Sequence, residues 1–283
     1  MCRILSHLCV KPQTASGYLL HSPCSLLAQS KADAKNLQKD GWGVAAQKNG
    51  RFVISKSPNA LYDERAKLAQ VAARSRSGFI VAHIRAASNP LDLPLHELIA
   101  PAHTQPFGVP NFVFAHNGTI NIVKETRDKL LGAYAKRLKG KNDSEIYFWL
   151  LQRWRHRCNG DVPAAFAAVA KDLWTLWHKL PRETQKRHQR PYSSLNTVFS
   201  DGRGLYALCH SLLPAKKKSL CLGDQPFNSL AYRLSPDKDR LVVASEKMSR
   251  EDGWKVMPMH SVLAAHIAGA TIGFEIRRFK WNR

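Results

Sequence analysis

Nowhere in the 283 residues is there an apolar run approaching the roughly 18 that a membrane span needs, so neither a membrane partner nor a transmembrane helix is expected. The opening segment also lacks a signal-peptide core: Ser6 and His7 follow the apolar pair Ile4 and Leu5, and Lys11 and Gln13 interrupt any apolar stretch. A cytoplasmic location is therefore expected. The six cysteines (Cys2, Cys9, Cys24, Cys158, Cys209, Cys221) include no C-x-x-C pair, which argues against zinc knuckles and thioredoxin-type sites. Free thiols are the simplest expectation. Also missing are a G-x-x-x-x-G-K-[ST] loop, a G-x-G-x-x-G fingerprint, a G-x-S-x-G elbow and an H-E-x-x-H pair, the signatures of nucleotide, dinucleotide, serine-hydrolase and zinc-protease chemistry.

Acidic residues are scarce, with 21 Asp and Glu against 43 Lys and Arg, a formal charge of +22. Such an excess can mark a nucleic-acid partner. The basic residues cluster at Lys136 to Lys141, Arg153 to Arg157, Arg182 to Arg190, Lys216 to Lys218 and Arg277 to Arg283, without a helix-turn-helix, RNP or finger signature. A solvated basic surface is the favoured reading, and nucleic-acid binding as the main function is disfavoured.

With 44% hydrophobic residues the chain can build a sizeable core, and with no repeat, low-complexity tract or linker it is read as a single domain over 1–283. Strand-like runs are Arg3 to Cys9, Val44 to Gln47, Phe52 to Ser55, Gly78 to Ile84, Asn111 to Ala115, Leu195 to Ser200, Gly204 to His210, Leu241 to Ser245, Trp254 to Met257 and Gly273 to Phe279. Lys48-Asn49-Gly50-Arg51 is a hairpin turn. Helical spacing covers Glu64 to Arg76, Asn121 to Lys139, Asp143 to Arg157 and Pro163 to Leu180. Pro90 to Pro110 reads as a long loop, and the polar, basic Pro181 to Tyr192 as a mobile one.

Against this background the first residues stand out. A cysteine directly after the initiator methionine, as in Met1-Cys2-Arg3, becomes the first residue when Met1 is removed. It then holds a thiol beside a free α-amine, whose reference pKa of about 8 leaves it able to accept a proton near neutrality. Most cysteines are nevertheless buried small hydrophobes, so position alone does not make Cys2 catalytic. Asp40-Gly41-Trp42-Gly43 marks a turn where backbone comes close to something else, or simply a hairpin capped by a core aromatic. Arg85, at the end of an apolar strand, suits a carboxylate or a surface ion pair. After the next core strand, His116-Asn117-Gly118 offers a side-chain amide and a backbone N–H to one point, the requirement of an oxyanion site, though a plain turn has the same letters. Asp143 opens a helix either as its N-cap or as a carboxylate for a ligand ammonium. A zinc site from Cys2, His83, His103 and His116 is a remote alternative.

The ordered set Met1-Cys2-Arg3, Asp40-Gly41-Trp42-Gly43-Val44, Ala82-His83-Ile84-Arg85-Ala86, Gln105-Pro106-Phe107, Ala115-His116-Asn117-Gly118 and Asn142-Asp143-Ser144-Glu145 resembles the class II glutamine amidotransferases, which are N-terminal-nucleophile hydrolases. Ser200-Asp201-Gly202, Ala244-Ser245-Glu246 and Gly253-Trp254 extend the match to about residue 265, and the stand-alone, single-domain branch is the most similar. The resemblance implies an α+β fold, a four-layer αββα sandwich. It implies that Cys2 attacks the carboxamide of glutamine with its own amine as base, that Asn117 and Gly118 hold the oxyanion, and that Arg85 and Asp143 clamp the substrate α-carboxylate and α-ammonium. Trp42, Gly43, Thr104 and His116 are implied to line the substrate. No metal or cofactor is implied. The substrate is glutamine or another γ-glutamyl compound, and any transfer of ammonia needs a separate synthase subunit. The oligomeric state is not legible in the sequence. One departure is visible: the family's Asn-x-His-Pro-Phe loop reads His103-Thr104-Gln105-Pro106-Phe107 here.

Overall fold

Thirteen strands and seven α-helices make up the described residues, 2–215 and 217–281, of a computed structural model. The strands are β1 (Arg3–Gln13), β2 (Trp42–Lys48), β3 (Arg51–Ser57), β4 (Ser77–Ile84), β5 (Phe107–Val109), β6 (Phe112–Asn117), β7 (Asn196–Ser200), β8 (Gly204–Cys209), β9 (Ala231–Leu234), β10 (Arg240–Ala244), β11 (Trp254–Val256), β12 (Ser261–Ala268) and β13 (Thr271–Arg278). They form two antiparallel sheets, one ordered β11-β9-β10-β1-β4-β2-β3 and the other β13-β12-β8-β7-β6-β5. Helices α1 (Leu26–Ser30) and α2 (Arg65–Arg74) cover the first sheet. A short α3 (Leu95–Leu98) sits in the long loop, and α4 (Val123–Leu130), α5 (Asp143–Arg157), α6 (Val162–His178) and α7 (Arg182–His188) belong to the second half of the layer order.

The layering follows from which face each strand makes apolar. Ile4 and Leu8 of β1, Phe79 and Val81 of β4, and Val243 of β10 meet Val113 and Ala115 of β6 and Val198 of β7 between the sheets. The opposite faces carry Leu5, Trp42, Val44 and Ala82 toward the first helical layer. Phe114, Phe199 and Leu208 pack beneath α5 and α6. Central strands buried on both faces must be apolar at nearly every position, which is why β1 and β4 read as continuous runs in the sequence. The arrangement is the expected α+β, αββα sandwich.

Several expectations are corrected. The helix over Asn121 to Lys139 is α4 followed by a 3-10 segment, Gly132–Arg137, because Gly132 adopts φ +56° and breaks the α-helical path. Pro181 to Tyr192 is not loop throughout: it contains α7, closed by Gln189 in a left-handed conformation. The free-thiol expectation fails for Cys24 and Cys221, which are disulfide-bonded across 197 residues, while Cys2, Cys9, Cys158 and Cys209 are free. Strands β5, β9 and β12 went unrecognised in the sequence, β5 lying inside the stretch Pro90 to Pro110 read as loop. The hairpin at Asn49-Gly50 is present, with both residues at positive φ (49° and 74°). Among the described residues no helix is long and apolar enough to cross a membrane.

Candidate active site

Cys2 lies just ahead of β1, whose neighbours β4 and β10 pin it on both sides. The thiol is 8% exposed and donates to the Ala86 carbonyl at 3.5 Å. Burial pushes its pKa up, and the nearby Arg85 pulls the other way. Met1, whose removal the sequence reading requires, lies outside the described residues. The even-numbered side chains of β1 face the second sheet, so Cys2 points toward the end of the inter-sheet space.

Asn117 closes β6 on that same inter-sheet face, following Val113 and Ala115. Its Nδ2 donates to Ser245 Oγ at 3.5 Å, and Ser245 Oγ also accepts the Ile4 N–H at 2.9 Å. A single hydroxyl thus joins the nucleophile's strand to the Asn117 amide. Gly118 follows in a very tight place: a Cβ there would sit 1.9 Å from the Ser194 carbonyl oxygen. Only glycine allows this approach.

Arg85 and Asp143 come together in a narrow cleft lined also by Leu91, Leu98, His103 and Asn142. Arg85 is buried, and its Nη1 donates to the Leu98 carbonyl at 2.8 Å. The Asp40-Gly41 turn holds the strand end: Arg85 N donates to Gly41 O at 2.8 Å, and Ala87 N donates to Asp40 Oδ2 at 2.7 Å. Asp143 is not the N-cap of α5. Asn142 is, accepting the Ser144 N–H at 2.7 Å, which leaves Asp143 Oδ2 to accept the Ile120 N–H at 2.8 Å. Burial raises the Asp143 carboxyl to about 6, against the opposing pull of the Ile120 and Ser144 N–H groups and of Arg85.

Two expected substrate contacts point elsewhere. Trp42 turns its ring into the first helical layer and donates Nε1–H to Glu64 at 2.8 Å, because alternation along β2 puts Gly43, not Trp42, on the inter-sheet face. Gly43 is there for closeness: a Cβ would lie 2.5 Å from the Gln105 carbonyl oxygen. His116 likewise faces the outer layer, its Nδ1 2.9 Å from Ser144 Oγ and its Nε2 3.0 Å from Ser194 O. Burial lowers its pKa to about 4, so it is a neutral bracket between β6, α5 and the 194 loop. Thr104 donates Oγ1–H to Ala100 O at 3.1 Å beside Gly41.

Four residues quoted in the sequence only as motif letters, Ser245, Asp40, Asn142 and Gln105, have supporting roles that the sequence did not reveal. Gln105 uses both ends of its amide on the His116 backbone, accepting from N at 2.7 Å and donating to O at 3.1 Å. Here a glutamine holds β6 beside Asn117, a role its place in Gln-Pro-Phe did not reveal. Cys2, His83, His103 and His116 do not converge as metal ligands. Among the described residues the one converging group is Cys24, Cys221 and Glu246, and its sulfurs are joined to each other.

Several side chains of the basic clusters, read in the sequence as a solvated surface, lie over aromatic rings of β6 and the helical layer. Arg155 lies 4.2 Å from the centre of Phe112, Arg157 5.4 Å from Trp154 and Arg137 5.4 Å from Trp149. Lys216 and Arg283 of the basic clusters lie outside the described residues.

Comparison with known proteins bears on this geometry. The family model described as "Glutamine amidotransferases class-II" matches residues 1–280. A Saccharomyces cerevisiae protein named "Probable glutamine amidotransferase DUG3" is 25% identical over 300 residues, covering 93% of this chain and 81% of its own length. Among solved structures, a glutamine aminotransferase class-II domain protein from Silicibacter pomeroyi aligns with TM-score 0.63 at 19% identity, covering 99% of this chain and all of the other. The glutamine phosphoribosylpyrophosphate amidotransferase of B. subtilis aligns with TM-score 0.57 at 15% identity over 99% of this chain and half of that one.

Proposed function

Since the chain belongs to the class II glutamine amidotransferases, an enzyme family, we propose that it hydrolyses the side-chain amide of glutamine, or of a related γ-glutamyl compound, with Cys2 as nucleophile. The observation that carries this reading is the convergence of four elements on one end of the sandwich. Ser245 ties the Asn117 amide to Ile4, two residues along β1 from Cys2, while Arg85 and Asp143, both of which act electrostatically on the Cys2 thiol, line the adjoining cleft.

In this mechanism, once Met1 is removed, the α-amine of Cys2 takes the thiol proton and the thiolate attacks the amide carbon. The carbonyl oxygen becomes an oxyanion, held by Asn117 Nδ2 and the Gly118 N–H, an effect of about 3 kcal/mol per donor. The carbon–nitrogen bond breaks, the amine returns its proton to the leaving ammonia, and a γ-glutamyl thioester remains. Water, deprotonated by the same amine, cleaves the thioester to glutamate and free thiol. Arg85 pairs with the substrate α-carboxylate and Asp143 with its α-ammonium, so the head is recognised whatever leaves from the γ-carbon.

Intact mass together with glutamate release from glutamine and from γ-glutamyl peptides tests the reading. Protein with Cys2 at its terminus is expected to release glutamate, and Cys2→Ala to lose at least about 10³-fold in kcat. Correctly processed wild type inert on every γ-glutamyl substrate would sink it. The substrate that releases glutamate fastest identifies the leaving group.

A further inference from the structure

His83 occupies a position that neither the clamp nor the oxyanion donors account for. It pairs with Ile4 in the register between β1 and β4, one step from Cys2, and alternation places it on the inter-sheet face after Phe79 and Val81. It is completely buried, and among the described residues neither ring nitrogen reaches a hydrogen-bond partner. The same holds for one atom of the proposed oxyanion machinery: Asn117 Oδ1 is buried and unpartnered, on the facing sheet and the same face. The ring has only a weak hydrogen-bonding contact with the His116 backbone, short of a formed bond, which places it one residue from Asn117. Leaving a buried polar atom without a partner is costly, and two of complementary type on the facing strands suit a bond made in another state of the protein. Burial, helped by Arg85, lowers the imidazole to about 3 against the opposing pull of its contact with the His116 backbone, so it carries a single N–H and no charge.

Resting on the proposed amidase reading, we infer that His83 is a positioning residue that donates its N–H to Asn117 Oδ1 as the tetrahedral intermediate forms. With Oδ1 fixed, the amide plane is set. Nδ2 then leaves its long contact to Ser245 and points at the substrate oxygen. His83 touches neither substrate nor the reacting atoms, and acts through Asn117 alone.

The test compares His83→Leu, His83→Gln and Asn117→Ala with wild type. An unpartnered imidazole replaced by an apolar side chain of similar size leaves stability unchanged or improved. His83→Leu is therefore expected to keep or raise the melting temperature, keep KM for glutamine within about twofold, and lower kcat roughly 10- to 100-fold. His83→Gln, which keeps a donor, recovers part of that loss. In an Asn117→Ala background His83→Leu costs nothing further. Glutamate γ-semialdehyde, which forms a hemithioacetal with the thiol, binds His83→Leu more weakly by the same factor, while glutamate binds equally. A kcat for His83→Leu within twofold of wild type overturns the inference. So does a loss accompanied by a lower melting temperature or by weaker glutamate binding. An inert wild type overturns the amidase reading instead.

Discussion

The two halves of the candidate site differ in how their polar groups are satisfied. In the clamp, Arg85 Nη1 donates to the Leu98 carbonyl and Asp143 Oδ2 accepts the Ile120 N–H. At the oxyanion end, Asn117 Oδ1 and both His83 nitrogens have no partner among the described residues. A clamp anchored by its own chain through Arg85 Nη1 and Asp143 Oδ2 is set in place before substrate arrives, so it contributes affinity for the amino-acid head. An unsatisfied end gains bonds only when charge appears on the substrate, so its energy is delivered to the transition state.

The sharpest way to break this contrast is a pair of substitutions read separately in kcat and KM. Asn117→Ala is expected to lower kcat by about 10²–10³ with KM little changed. Arg85→Lys, which keeps the charge but loses the fork, should raise KM roughly 10- to 100-fold with kcat preserved. Steady-state kinetics showing both variants moving the same parameter would erase the distinction.

A second comparison concerns support rather than chemistry. Glu246 follows Ser245, pairs with the buried Arg3 at 3.2 Å, and accepts the Leu220 and Cys221 N–H groups at 2.7 and 3.1 Å. The Cys24–Cys221 bond therefore braces the oxyanion end and leaves the clamp alone. Cys24→Ala with Cys221→Ala is expected to cost about 2–4 kcal/mol in denaturant unfolding and to leave KM unchanged. A KM shift with no loss of stability would refute this division.

The smallest effect expected is the pH response of the clamp. Asp143 titrates near 6, and only its carboxylate attracts an ammonium, so kcat/KM should fall about tenfold per pH unit below 6 and be flat in this respect above it. Stability runs the other way. The folded-state pKa is raised above the ordinary value of 3.8, so the ionised, desolvated form costs stability above pH 6, and this cost fades as pH falls from 6 toward 4. Asp143→Asn should thus gain on the order of 2–3 kcal/mol at pH 7 to 8 while weakening glutamine binding. A variant less stable than wild type at pH 8 contradicts this.

What could be read from the chain, and what could not, divides along physical lines. Strands such as β1, β4 and β6 are legible because burial on both faces demands apolar runs, and Arg85 and Asn117, at the ends of β4 and β6, inherit their placement from those runs. Alternation was the signal overlooked: it turns Trp42 and His116 to the outer layers, which two letters in a motif cannot show. The break at Gly132 was visible as a residue but not as a conformation, since glycine is also tolerated inside helices. Nothing local pairs Cys24 with Cys221, because only tertiary folding brings residues 197 apart together. Strand β12 was hidden by its composition, since Ala264, Ala265 and Ala268 supply little β-preference, and pairing with β8 and β13 decides its state.

The Ile4–Ser245 bridge also has a meaning in time. Cys2 and Ile4 leave the ribosome long before Ser245, and at about 5–20 residues per second the interval is on the order of 10–50 s. Over that period β1 has no β10 to pair with and Asn117 no hydroxyl beside it. The nascent chain therefore carries a cysteine without its oxyanion partner, and competence arrives only when one of the last strands docks. A site split between the two ends of the chain postpones its own reactivity until the fold is nearly complete.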